Sequence, residues 1–194
     1  MKSARILFLA TLLGLSACAP QTEMASASGG ATGGAIDDTT DSAASEAPNL
    51  LQNSSFNNED VWGAYFLGSA EGESSFSYGE LCLDITSAGD AVWNSQVVQG
   101  GLSLTPGESY TLSFNAYTNK PVQMRAAMEE NGDDYTTLGD QTFALTGSRT
   151  DYTFSAEITE NVDEGRVSLS TGGELVSDTP VTICLDDVEL RASN

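Results

Sequence analysis

What most limits the fold of this chain is a two-residue rhythm that sets in at Asn49. Apolar and polar side chains alternate over short runs, and turn residues close each run. Tyr110-Thr111-Leu112-Ser113-Phe114-Asn115-Ala116 alternates cleanly after Pro106-Gly107. Val122-Gln123-Met124-Arg125-Ala126-Ala127-Met128 does the same and runs toward Asn131-Gly132. Stretches 152–158, 166–170 and 181–185 repeat the pattern, while 76–85 and 92–104 supply earlier strands. Period two sends successive side chains to opposite faces of a sheet, and Thr, Val, Tyr and Phe suit such a surface. No window of a dozen residues carries a helical stripe. Residues 49–192 therefore read as one all-β domain, a β-sandwich of two antiparallel sheets.

The same parity defines an outward set. Met124 and its large apolar neighbours share one side of their strand, so Gln123, Arg125 and Ala127 point to the other. Arg166, Ser168 and Ser170 oppose Val167 and Leu169, and Val97 takes the core if Gln96 and Val98 do not. These outward positions could line one face of one sheet.

Charge narrows the functions open to such a domain. The 194 residues include 28 acidic and 7 basic side chains and no histidine, for a formal charge of −21. Without histidine, Ser-His-Asp triads, Cys-His pairs and the usual catalytic zinc sites are excluded. The negative charge repels phosphate backbones and argues against nucleic acid as a partner. So acidic a surface suits a salty medium, in which the carboxylates serve solubility.

The N-terminal part has a different texture. Lys2 and Arg5 precede an apolar run from Ile6 to Leu15, too short to span a bilayer but suited to a secretory signal. The run ends in Leu15-Ser16-Ala17-Cys18, which resembles the lipobox of bacterial lipoproteins. That resemblance implies a signal peptide over 1–17 and a lipid on Cys18, hence a membrane anchor. With Ala19 at the second mature position, it implies the outer membrane of a bacterial cell envelope. Residues 19–48 are mostly Ala, Gly, Ser, Thr and Asp, with no aromatic and almost no large aliphatic side chain. They cannot bury enough surface to offset ordering, so residues 18–48 read as a lipidated cysteine and a flexible acidic linker. Two cysteines remain, Cys82 and Cys184. An exported chain with an even remainder points to a disulfide, the alternative being two buried thiols.

The domain resembles the family 4/9 carbohydrate-binding modules. The resemblance rests on an ordered set: Asn49-Leu50-Leu51-Gln52-Asn53-Ser54-Ser55-Phe56, Trp62-Gly63-Ala64-Tyr65, Gly79-Glu80-Leu81-Cys82-Leu83, and 106–114. Arg125-Ala126-Ala127, Asn131-Gly132-Asp133-Asp134-Tyr135, Gly172-Gly173 and Ile183-Cys184-Leu185-Asp186-Asp187-Val188 complete it. It implies a jelly-roll, galactose-binding-like sandwich with a cleft along which a glycan lies, and a Cys82–Cys184 disulfide. It places Tyr65, Arg125, Asn131 and Tyr135 at that cleft, and parity adds Gln96 to the outward face. Tyr65 could instead cap the sandwich edge, Asn131-Gly132 could simply be a turn, and Trp93 is either a cleft wall or a core plug. Arg166 and Ser170 stand where relatives carry Gln, so the sugar those relatives prefer is not assumed for this chain. The resemblance also implies a structural Ca2+ near the sandwich edge, held by Asn57 and by Asp186 or Asp187. The bland reading of Asp186-Asp187 is the end of a strand.

The function expected from these residues is non-catalytic binding of a β-linked polysaccharide, of β-glucan, xylan or amorphous-cellulose type, by a lipid-anchored envelope protein. Envelope glycanases on other chains are the partners this implies. The alternative is an envelope structural or adhesion protein that uses the sandwich for protein–protein contact. A glycosidase would need two carboxylates facing each other across a cleft. Counting acids does not exclude such a pair, but the resemblance is to the accessory module of such enzymes and not to their catalytic part.

Overall fold

The computed structural model describes residues 46–132 and 135–193. The signal peptide over 1–17, Cys18, and the linker as far as residue 45 lie outside the described residues. From Gly63 onward the chain forms ten strands. They are β1 (Gly63–Phe66), β2 (Ala70–Ser77), β3 (Glu80–Ala88), β4 (Ser95–Leu104), β5 (Ser109–Thr118), β6 (Val122–Glu130), β7 (Thr137–Leu145), β8 (Thr150–Glu157), β9 (Val162–Ser170) and β10 (Val181–Ser193). All pair antiparallel in two five-stranded sheets, sheet A in the order β1-β4-β9-β6-β7 and sheet B in the order β2-β3-β10-β5-β8.

Alternation puts one side of each strand between the sheets. Sheet A sends in Val97, Met124, Ala126, Met128, Val167 and Leu169, and sheet B sends in Leu81, Leu83, Ile85, Leu112, Phe114, Ile183 and Leu185. At the β7–β8 edge Phe114, Phe143 and Tyr152 meet with centroids 5.3–5.5 Å apart. The sheets come so close there that a Cβ on Gly139 would lie 2.4 Å from the Ala156 Cβ. The opening segment is tied in by polar side chains. Gln99, inward-facing and buried, accepts the Gln52 amide at 2.7 Å and donates to its carbonyl at 2.9 Å. Trp62 Nε1 donates to the Gln52 and Asn53 carbonyls.

Cys82 and Cys184 face each other across β3 and β10 and are joined as a disulfide. Two stretches differ from the alternation reading. Residues 76–85 are not one strand, because the Tyr78–Gly79 turn, with φ of 56° and 80°, folds β2 back on β3. Residues 92–104 open with a 3-10 turn over Val92–Asn94 before β4 begins. Asn94 drives this: its side-chain oxygen accepts the Asp90 and Ala91 amides, curling the chain before alternation resumes.

Candidate functional site

Register builds a lattice of side chains on the outer face of sheet A. One row reads Tyr65, Gln96, Ser170, Arg125, Thr142 across β1, β4, β9, β6 and β7. The next reads Gly63, Val98, Ser168, Ala127, Asp140, and the third reads Gly100, Arg166, Glu129, Thr137. The middle row is short and the flanking rows are long, so the face is hollow. Two adjoining bays result. One of about 560 Å³ is lined by Val92, Trp93, Gln96, Arg125, Glu129, Tyr135, Thr137, Arg166 and Ser170. The other, of about 420 Å³, is lined by Tyr65, Leu67, Gln96, Val98, Gly100, Asn131, Tyr135 and Arg166. Gln96, Tyr135 and Arg166 belong to both, so the bays form one groove.

All eight residues expected at a cleft, Tyr65, Trp93, Gln96, Arg125, Asn131, Tyr135, Arg166 and Ser170, line this groove. The alternative for Trp93 is decided: at 57% exposure it is a wall and not a core plug. Tyr65 and Tyr135 are also open to solvent. The Tyr65 ring lies back over the backbone of Gly63, where an added Cβ would come within 2.5 Å of it. A side chain at 63 would take the space the ring occupies. Parity named the side of Ser168 and Ser170 correctly, but both are buried under their neighbours rather than open.

The polar groups are more committed than their types suggest. Arg125 donates from Nε to Asp140 at 2.8 Å, from Nη1 to Glu129 at 3.0 Å and from Nη2 to Thr137 at 3.0 Å. Burial works against its charge, but the hydrogen bonds to Asp140 and Glu129 outweigh it and raise its pKa above the usual arginine value. Arg166 donates to the other Glu129 oxygen from Nε at 2.9 Å and Nη2 at 2.7 Å, and its guanidinium lies 3.8 Å from the Tyr135 ring centroid. One face of Tyr135 is thereby covered by a cation. Two buried oxygens on this face of the sheet, Gln96 Oε1 and Ser168 Oγ, have no hydrogen-bond partner among the described residues. Unmatched buried polar atoms are uncommon, and a hydroxyl-rich ligand is a natural complement to a face that carries two.

Sequence reasoning missed Glu129 although the signal was present. The parity that selects Arg125 and Ala127 reaches Glu129 one step later, beyond the point where apolar alternation stops. Leu67, Thr137 and Val92 carry no such signal, since they leave or enter strands at the rim.

The calcium expectation fits less well. Asp186 Oδ2 is held by Arg149 Nη1 at 2.9 Å and Oδ1 accepts the Asp187 amide at 2.8 Å. The Asn57 side chain donates to Ser55 Oγ. Asp187 opens instead toward Asn115, Asp151 and Glu189. Among the described residues, acidic and thiol ligand atoms converge only at Glu80, Cys82 and Cys184, and both of those cysteines are spent in the disulfide. A hard cation needs several free oxygens, and here a guanidinium already occupies one. As held, the Asp186 carboxylate is committed to Arg149 and to the Asp187 amide.

Comparison with known proteins adds the rest. A family model described as a carbohydrate binding domain, of the 4/9 type, matches residues 48–180. Endoglucanase C of Cellulomonas fimi is 34% identical over 137 residues, 66% of this chain and 12% of that enzyme. A cellulose 1,4-beta-cellobiosidase of Acetivibrio thermocellus is 29% identical over 114 residues, covering 56% of this chain and 13% of its own. The chain thus spans about an eighth of the length of the curated relatives it matches. Among solved structures, a CBM4 domain superposes with a TM-score of 0.64 at 25% identity, over 73% of this chain and 99% of that one. The N-terminal cellulose-binding domain of the Cellulomonas fimi β-1,4-glucanase C gives 0.60 at 26% identity, over 76% and 99%.

Proposed function

We propose, from the premise that the chain belongs to the family 4/9 carbohydrate binding domains, that the groove on sheet A holds a β-linked polysaccharide. Members of this family bind carbohydrate and do not cleave it. The single observation that carries the placement is the convergence of Tyr65, Trp93 and Tyr135 with Gln96, Asn131 and Arg166 on one open trough. Sugar rings offer flat C–H faces to aromatics and hydroxyls to amide and guanidinium tips. A trough admits the middle of a chain, where a closed pocket would admit only an end. The classes that fit are β-glucan, xylan and amorphous cellulose. The relatives' names, an endoglucanase and a cellulose cellobiosidase, support the β-glucan and cellulose classes and say nothing of xylan. Stacking plus a few hydrogen bonds gives dissociation constants of roughly mM to µM.

In the same proposal the chain sits at a bacterial cell envelope, anchored by a lipid on Cys18 and facing polysaccharide beside glycanases carried by other chains. The signal-like N-terminus and Leu15-Ser16-Ala17-Cys18 support this. Weak affinity suits it, since many tethered copies on one surface add avidity. Affinity electrophoresis through laminarin, xylan, hydroxyethylcellulose and mixed-linkage glucan tests the binding. Retardation by at least one glycan is expected, with Tyr135→Ala retarded less. Unretarded migration in all four would overturn it. Cys18→Ala is expected to release the protein from the membrane fraction.

A further inference from the structure

The strongest unassigned feature of the groove is its one deeply buried charge. Glu129 is 5% exposed, yet it stands on the outer face of sheet A and not between the sheets. Register sets it directly across from Arg166, and the strand sets it four residues beyond Arg125. Oε1 accepts Arg125 Nη1, and Oε2 accepts both Nε and Nη2 of Arg166.

We propose that Glu129 is the positioning residue of the groove, fixing Arg166, and through it the Tyr135 ring, before the glycan arrives. This rests on the glycan-binding assignment above and names what prepares that site. Arg166 projects from β9, the central strand of sheet A, whereas Tyr135 belongs to the connection between β6 and β7 and has φ of 44°. Its amide reaches the Gly132 carbonyl only at 3.4 Å. Among the described residues that is its one backbone hydrogen bond, and the guanidinium 3.8 Å from its centroid is its close side-chain contact. A guanidinium keeps that pose when two of its nitrogens are pinned, and Glu129 pins Nε and Nη2. Nη1 has no hydrogen-bond partner among the described residues, which leaves it as the donor for a sugar hydroxyl. Glu129 also separates two cations that share the larger bay, and with Asp140 it leaves the group of four charges neutral. A binder whose rings are set in advance spends less of its contact energy on ordering them.

A double-mutant cycle separates this role from a structural one or a direct sugar contact. Glu129→Gln is expected to weaken binding of hydroxyethylcellulose or laminarin about tenfold in the parent, and less than twofold in an Arg166→Gln background. The double variant restores neutrality of the cluster, so it is expected to fold even if Glu129→Gln alone is poorly tolerated. An equal loss in both backgrounds would mean that Glu129 acts on the glycan directly or on the fold at large, and would overturn the proposal. Measured without glycan, Glu129→Gln is expected to remove the protected Arg166 Nε–H resonance and shift the Tyr135 ring signals. Unmoved Tyr135 signals would overturn it as well. A parent that binds none of the glycans refutes the assignment of the groove, while these resonances still decide the role of Glu129.

Discussion

The outer faces of the two sheets come from the same alternation and end in opposite characters. In the groove on sheet A the charges cancel: Arg125 and Arg166 are matched by Glu129 and Asp140, in a hollow walled by Tyr65, Trp93 and Tyr135. On sheet B the outward positions carry Glu73, Glu80, Asp84, Asp151, Glu157, Asp186 and Glu189 among serines and threonines. Arg149 answers Glu80 and Asp186, and Arg191 answers Glu189. Short hydroxyl ladders such as Ser193, Thr111 and Ser155 keep that face filled. Polarity alone therefore does not mark a binding face. What marks sheet A is a middle row of small side chains beneath long ones, with carboxylates consumed internally so that neutral, hydroxyl-rich matter meets no excess charge.

If sheet B is the structural wall and sheet A the recognition face, damage to each should read out differently. The largest effect is expected from reducing the Cys82–Cys184 bond, which ties residues 102 apart across β3 and β10. Loss of a link closing so long a loop removes about 4–5 kcal/mol, or roughly 10–20 °C in Tm. Glycan affinity of the reduced protein, measured by calorimetry well below its Tm, should stay within about twofold of the oxidised form. A parallel loss of affinity would show that the two faces are not independent. Next in size is Trp93→Ala, expected to weaken binding about five- to thirtyfold with little change in Tm. Tyr78→Asn is its control on sheet B: Tyr78 is fully exposed in the β2–β3 turn, and asparagine accepts its positive φ. It should leave affinity unchanged, and a comparable loss at Tyr78 would erase the distinction between the faces.

Much of this division was legible in the residues, and the misses have physical reasons. Alternation alone separates Arg125 from Met124 and Ser170 from Leu169, because parity is local and needs no knowledge of neighbours. It does not say what lies on top, which is why Ser168 and Ser170 face outward yet are buried. β1 is four residues long and β7 carries Gly139 beside a register shift against β6, so neither edge strand shows the rhythm that the central strands show. Trp93 sits in a 3-10 turn shaped by Asn94, where period two is silent about exposure. Charge partners were invisible for a different reason: the Arg149–Asp186 pair joins residues far apart in sequence and is set by register across three strands. That pair competes for the Asp186 oxygen that the calcium expectation, implied by the family resemblance, would need.

A subtler test acts on the groove without removing any of its side chains. Gly63→Ala places a methyl where the Tyr65 ring lies, 2.5 Å from Cε2 and 2.6 Å from the hydroxyl. The ring is the free end of a surface side chain and can swing away, so Tm should move by only about 1–2 °C. Displaced, it no longer walls the smaller bay, and affinity should fall about threefold. If affinity holds while the ring is shown to move, Tyr65 is rim and not platform.

The smallest expected effect concerns sheet B and has a definite sign. Asp187 stands at the bulge where β10 shifts register against β5, with φ of 48°. Burial first, then the neighbouring carboxylates of Asp186 and Glu189, raise its pKa above the usual aspartate value despite Arg149. A carboxyl that holds its proton more tightly folded than unfolded favours the fold most when protonated. That contribution is complete below the unfolded pKa and is lost as pH climbs through the raised folded value. At pH 7 the ionised side chain is therefore a net burden, and Asp187→Asn should raise Tm by about 1–2 °C. The gain should shrink toward zero as pH falls to about 3.5, and thermal melts across that range check it. Millimolar calcium should leave the gap unchanged, because the Asp186 oxygens are already taken by Arg149 and the Asp187 amide. If calcium instead stabilises the parent and makes Asp187→Asn the less stable of the two, Arg149 yields to the ion. The acidic wall of sheet B would then be a cation site, and no longer only a solubility surface.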